Sequence, residues 1–245
     1  MLRIPFLMVW GYDTGVLLKL GMTMNFRAGL GIVLAVLFLA PVSFYAFAAP
    51  ENIDLQAVVK ISATRDSSNY TFKGARLPKN GEGSGFAVSA NKILTNAHVV
   101  WGASVVEVVT YDGKIIPAKI VEFDSDLDIA VLRVEERLPA VTAIRKSSVV
   151  QGEAVYAIGH PEGRPDWTVM PGVVKSVYHI SNGFEKNGAM IRLILTNAIG
   201  ERGASGGPLF DSKGRVVGIV ARVNRMLDGW LIVVPITEVL ESFVL

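Results

Sequence analysis

Three short stretches carry side chains that can do nucleophilic chemistry. T-N-A-H-V-V (95–100) holds His98, S-D-L-D-I-A-V-L (125–132) holds Asp128, and E-R-G-A-S-G-G-P-L-F (201–210) holds Ser205. A serine hydroxyl is a poor nucleophile at neutral pH and needs a base within hydrogen-bond reach. An imidazole can take that proton, and a carboxylate can hold the imidazole in the right tautomer. Each residue also has an ordinary reading. A histidine after a strand is commonly structural. Asp128 can simply open a strand, with Asp124 and Asp126 close by. Ser205 before Gly206-Gly207 can be a turn. The occurrence of all three, in the order His, Asp, Ser, is what points to a site.

The elements that must position them are strands. V-V-K-I-S-A (58–63), G-S-G-F-A-V-S (83–89), K-I-L-T (92–95), V-V-E-V-V-T (105–110), I-I-P-A-K-I-V-E-F (115–123) and I-A-V-L-R-V (129–134) form a first unit. Tyr111-Asp112-Gly113-Lys114 between two alternating apolar runs is a strong hairpin signal. His98 is expected to end a strand and Asp128 to open one. A second unit repeats the pattern with A-V-Y-A-I (154–158), T-V-M-P-G-V-V-K-S-V-Y (168–178), M-I-R-L-I-L-T (190–196), R-V-V-G-I-V-A-R-V (215–223) and W-L-I-V-V (230–234), and Asp211-Ser212-Lys213-Gly214 is another turn. After Pro235 the spacing turns helical, with Thr237 as candidate N-cap. Short, evenly spaced strands imply an all-β fold of two small packed barrels, over 49–145 and 146–245, with a short C-terminal helix.

The 245 residues include no cysteine, and their net charge is +2. Met24-Asn25-Phe26-Arg27, an apolar run from Ala28 to Ala40, Pro41, and Ala46-Phe47-Ala48 read as a secretory signal with cleavage after Ala48. An uncleaved membrane anchor is the alternative, although Pro41 breaks the run short of a spanning length. Residues 1–23 fit no targeting pattern, and Met22 and Met24 both qualify as starts, so 1–48 are set apart as upstream segment and leader. Removing Arg3, Lys19, Arg27 and Asp13 leaves basic and acidic residues equal in number. That balance gives no pull toward nucleic acid or anionic membrane. Without cysteines or a spaced His/Asp/Glu cluster, neither a metal nor a cofactor is expected. His160, in A-I-G-H-P-E-G (157–163), reads as structural. His179 follows a predicted strand and has no partner motif.

T-N-A-H-V-V, D-x-D-I-A-V-L and G-x-S-G-G-P-L resemble the trypsin-like serine peptidases, in particular the bacterial HtrA/Deg branch. G-S-G-F (83–86), D-G-K (112–114), L-T-N-A (195–198) and G-W-L-I-V-V-P (229–235) support the likeness over about residues 55–240. The order His, Asp, Ser is that of the chymotrypsin type, and G-x-S-x-G is absent. The resemblance implies a pair of six-stranded β-barrels and an exported, periplasmic or secreted serine endopeptidase acting on proteins or peptides. It also implies His98, Asp128 and Ser205 as catalytic residues, with the Gly203 and Ser205 N–H groups as oxyanion donors.

Aligned without gaps from Ser205, the specificity pocket has Ile199 at its floor and Val223 on its wall. Neither offers a charge, and Val223 shortens the slot, so cleavage after small aliphatic residues is expected. The branch commonly forms trimers, which makes a homo-oligomer an expectation. Its usual C-terminal PDZ domain has no counterpart after the last strand, so PDZ-type recognition of peptide tails is not carried over. The family usually has Asn or Asp where this chain has Ala204. That leaves two readings open: a poised oxyanion loop, or a slack one in a catalytically silent fold used as a binding module.

Overall fold

The computed structural model describes residues 50–186 and 189–244. The leader, its cleavage site and the two candidate starts lie outside them. The first barrel contains β1 (Val58–Thr64), β4 (Asn80–Ser89), β5 (Lys92–Thr95), β6 (Val105–Val109), β7 (Ile115–Asp124) and β8 (Ile129–Val134). They close in the order β1-β4-β5-β8-β7-β6. A small hairpin, β2 (Thr71–Phe72) with β3 (Ala75–Arg76), projects between β1 and β4. Ile129, Ala130, Val131 and Leu132 of β8 are all buried because both faces are covered: Ala130 and Leu132 join the barrel's own core, and Ile129 and Val131 join the cluster that also holds residues of the second barrel.

The second sheet comprises β9 (Ala143–Ile144), β10 (Ala154–Gly159), β11 (Thr168–Lys186), β12 (Ala189–Ile199), β13 (Pro208–Asp211), β14 (Arg215–Asn224) and β15 (Trp230–Pro235). Six of these run β13-β10-β11-β12-β15-β14, and a β13–β14 pairing closes the ring. The seventh, β9, adds in parallel to β14. The fold is therefore all-β, with two six-stranded antiparallel barrels of the chymotrypsin-like type.

Both expected turns form. Thr110 and Lys114 bracket the Asp112-Gly113 turn, and Val109 faces Ile115 across it. Gly214 closes the second turn onto Asp211. Each barrel has its own apolar core, and a third cluster lies between them, where Phe86, Leu127 and Ile129 of one meet Tyr156, Ile158 and Phe210 of the other. Helix α2 (Ile236–Ser242) seals that seam with Ile236 and Val239.

Three local expectations are corrected. His98 does not end a strand: it lies on a four-residue helix, α1 (Ala97–Val100), beyond the end of β5. Four residues are too few to show a helical period. Thr237 is not the N-cap of α2. Pro235 holds that position and Thr237 lies in the first turn, its hydroxyl 3.4 Å from Nη2 of Arg192. The strand expected over 168–178 runs on to Lys186 and contains His179.

Candidate active site

The His98–Asp128 pair is built by backbone as much as by side chains. Asp128 directly precedes β8 and has φ +59°, a left-handed conformation that Asp tolerates better than most residues. Four hydrogen bonds hold it there. Its carbonyl accepts from Ala97 N (3.0 Å) and from Asn96 Nδ2 (2.8 Å). Its carboxylate accepts from His98 N through Oδ1 (2.9 Å) and meets His98 Nδ1 through Oδ2 (2.7 Å). Asp128 is 4% exposed, whereas the His98 side chain is 29% exposed. An ionised carboxylate only accepts, so Nδ1 carries a proton, and in the neutral ring Nε2 is then the base. Phe72 lies tilted against the imidazole, with centroids 6.3 Å apart.

Helix α1 is itself clamped. Arg65, 1% exposed, donates from Nε to Trp101 O (2.7 Å), from Nη1 to Pro78 O (3.0 Å), and from Nη2 to Val99 O (2.8 Å) and His98 O (3.2 Å). The carbonyls of His98, Val99 and Trp101 lie at the helix end and have no successor turn to bond. Burial lowers the Arg65 pKa from its usual value. Nearby, Lys73 donates to Asp126 O at 2.9 Å. Burial lowers its pKa, against the opposing pull of Asp128 and Asp126.

Ser205 arrives from the second barrel and docks on β4. Its carbonyl accepts from Ser84 N at 2.8 Å. Gly206 has φ +85°, and a Cβ there would lie 2.2 Å from Ser84 O, 2.4 Å from Thr95 Oγ1 and 3.0 Å from Asn96 N. Only glycine permits that approach, which sets the serine turn against the segment leading to His98. The Ser205 hydroxyl meets the Ala221 carbonyl at 3.4 Å and makes no hydrogen bond to His98 among the described residues. The structure thus unites His98 with Asp128 and seats Ser205 on β4 near the segment leading to His98, without closing the hydroxyl–imidazole bond.

Gly203 has φ +92°, and neither its N–H nor that of Ser205 has an acceptor among the described residues. Ile199 ends β12, and Val223 lies near the end of β14. Their methyl groups approach the Cβ position of Gly229 to 3.2 and 4.0 Å, so the two converge on one spot. His160 is buried at 3% exposure, in keeping with a structural histidine. Sequence reasoning missed Arg65, Asn96 and the Ala221 carbonyl. Ser84, within G-S-G-F, is a further such residue.

The trypsin-like peptidase domain matches residues 83–219, more than half of the chain. This chain belongs to that family. It is 37% identical over 177 residues to the serine protease Do-like HtrA of Bacillus subtilis, which covers 66% of this chain and 39% of that protein. It is 35% identical over 202 residues to a protein of Hahella chejuensis named "Probable periplasmic serine endoprotease DegP-like", covering 71% and 42%. The chain therefore spans about two fifths of the length of these curated relatives. Among solved structures, the active form of the Rv3671c protease of M. tuberculosis matches with a TM-score of 0.67 and 28% identity, over 76% of this chain and 79% of that one.

Proposed function

We propose that this trypsin-like domain is a serine endopeptidase using His98, Asp128 and Ser205. The observation that carries the reading is the 2.7 Å bond between His98 Nδ1 and the buried Asp128 carboxylate, which holds the neutral ring in the tautomer with Nε2 as its base. In the reaction, Ser205 Oγ attacks the scissile carbonyl carbon while His98 Nε2 takes the hydroxyl proton. Asp128 stabilises the imidazolium and stays ionised. The carbonyl oxygen becomes an oxyanion facing the N–H groups of Gly203 and Ser205. Collapse breaks the C–N bond, and His98 returns its proton to the leaving amine. Water, deprotonated by the same imidazole, then hydrolyses the acyl-enzyme. The open hydroxyl–imidazole bond fits this scheme, because such bonds are commonly long before substrate binds.

Ile199 and Val223 form an uncharged, narrowed specificity pocket suited to Ala or Val. The substrates are proteins or peptides, and a homo-oligomer is compatible with the HtrA-type relatives. Export rests on the residue pattern of 24–48 and on the periplasmic name of one relative. Mass spectrometry of the mature chain is expected to find Ala49 first, and an intact leader would contradict release.

The catalytic reading is tested by Ser205→Ala. Casein cleavage is expected to vanish with the melting curve nearly unchanged, and surviving cleavage overturns the nucleophile assignment.

A further inference from the structure

Position 204 carries a methyl group where a polar side chain could have anchored the loop that bears the oxyanion donors. Ala204 is fully buried and brings no side-chain hydrogen bond to the loop. The loop is nonetheless held, and the holding groups come from two other segments. Ser84 on β4 places its hydroxyl 2.8 Å from Gly203 O, 3.0 Å from His160 N and 3.1 Å from His160 Nδ1. A carbonyl can only accept, so the single hydroxyl proton goes to Gly203 O. Both His160 nitrogens must then donate to the Ser84 oxygen. This fixes His160 as the Nδ1–H tautomer and leaves Nε2 bare, buried and without a partner among the described residues. Burial lowers the His160 pKa to about 4, which keeps the ring neutral.

The ring is wedged in place. Trp167 packs edge-on at 4.5 Å between centroids and is itself tied by Nε1 to Val58 O at 2.9 Å. The two residues after His160 complete the template. Glu162 N donates to Arg202 O at 2.6 Å. In a trans peptide the C=O and N–H point opposite ways, so this bond turns the Gly203 N–H away from the 160–162 segment. The His160 carbonyl leaves only 2.2 Å for a Cβ at Gly203, which selects glycine there.

We propose that Ser84 and His160 are positioning residues that lock the Gly200–Ala204 loop with its Gly203 N–H available to an oxyanion, in place of a polar side chain at 204. The assignment rests on the serine endopeptidase reading. It excludes the slack-loop alternative and implies an oxyanion site formed before substrate arrives.

The test uses the full chain with Ser84→Ala, His160→Leu and His160→Asn, because an Asn amide can donate near where Nδ1 does. Hydrolysis of an Ala-terminated peptide anilide gives kcat and KM, and a fluorophosphonate gives the labelling rate of Ser205. Loss of a donor in an oxyanion site costs up to about 10²–10³ in rate, so displacement of this loop is expected to lower kcat and labelling by about 10- to 100-fold. KM is expected to stay within about twofold. His160→Leu should match Ser84→Ala, and His160→Asn should recover most of the loss. If Ser84→Ala lacks a cooperative melt, the two His160 variants decide by the same readouts. Unchanged kcat in Ser84→Ala or His160→Leu overturns the proposal, as does an Asn variant no better than Leu. A folded wild-type chain that neither cleaves nor labels overturns the endopeptidase reading itself.

Discussion

Replacing Arg65 by methionine keeps most of the stem volume and removes every donor from the end of α1. Four carbonyls, of Pro78, His98, Val99 and Trp101, then lose their partner. A buried acceptor left unpaired costs about 1–3 kcal/mol, and the variant no longer has to bury a guanidinium, which offsets part of that. Only the Val99 bond is fully buried, and water can reach the other three carbonyls, so the net loss is expected to be about 3 kcal/mol. For a domain of this size each kcal/mol shifts Tm by about 2–4 °C, so Tm is expected to fall by about 6–12 °C in differential scanning calorimetry. One of the four lost bonds is to His98 O, so the imidazole also loses a restraint and kcat is expected to fall with KM little changed. Arg65→Lys, with its three donors, should recover part of both losses. A methionine variant as stable as wild type would refute the reasoning, because the carbonyl clamp would then contribute nothing.

Other outcomes follow from the same geometry. In Asp128→Asn, the His98 N–H keeps the amide oxygen at the Oδ1 position, so the amide N–H₂ faces Nδ1 and forces the proton onto Nε2; kcat is expected to drop by about 10⁴, with secondary structure unchanged by circular dichroism. His160 has its pKa lowered to about 4 by burial, with Asp166 opposing and Lys60 reinforcing the shift. Below about pH 6.5 the unfolded chain binds a proton that the folded chain refuses, so stability falls as pH drops toward 4 and then levels, by about 3 kcal/mol in all. His160→Asn, which removes this titration, is expected to show a flatter Tm profile between pH 7 and 4; parallel profiles would remove the effect. Peptide anilides differing only at the residue before the cleaved bond should favour Ala or Val, and Val223→Gly should shift preference toward larger apolar residues. A wild-type preference for Arg, Glu or Phe contradicts the pocket reading.

The strands were legible because each short apolar run is bounded by turn residues, as at Asp112-Gly113, where the observed Val109–Ile115 pairing follows directly. The pairing of His98 with Asp128 was legible because each lies in a compact motif, as does Ser205, the proposed nucleophile. What stayed hidden has a common physical cause. Arg65 and Ser84 act on backbone carbonyls 13–36 and 119 residues away, and a carbonyl has no letter in the sequence. The positive φ of Asp128 is equally silent, since it is imposed by partners on α1 and at its entry. Helix α1 escaped because its single turn shows no period, and Thr237 misled because a cap-type residue two positions too late still looks like a cap.

The central claim is that Ser205 is a nucleophile activated by His98. A fluorophosphonate forms a phosphorus–oxygen bond with an activated serine and expels fluoride, and the adduct can be located by peptide mass spectrometry. One adduct per folded chain is expected, on Ser205, lost in Ser205→Ala and slowed by at least about 10³-fold in His98→Ala. Folded wild-type protein that stays unlabelled, or labels elsewhere, would contradict it.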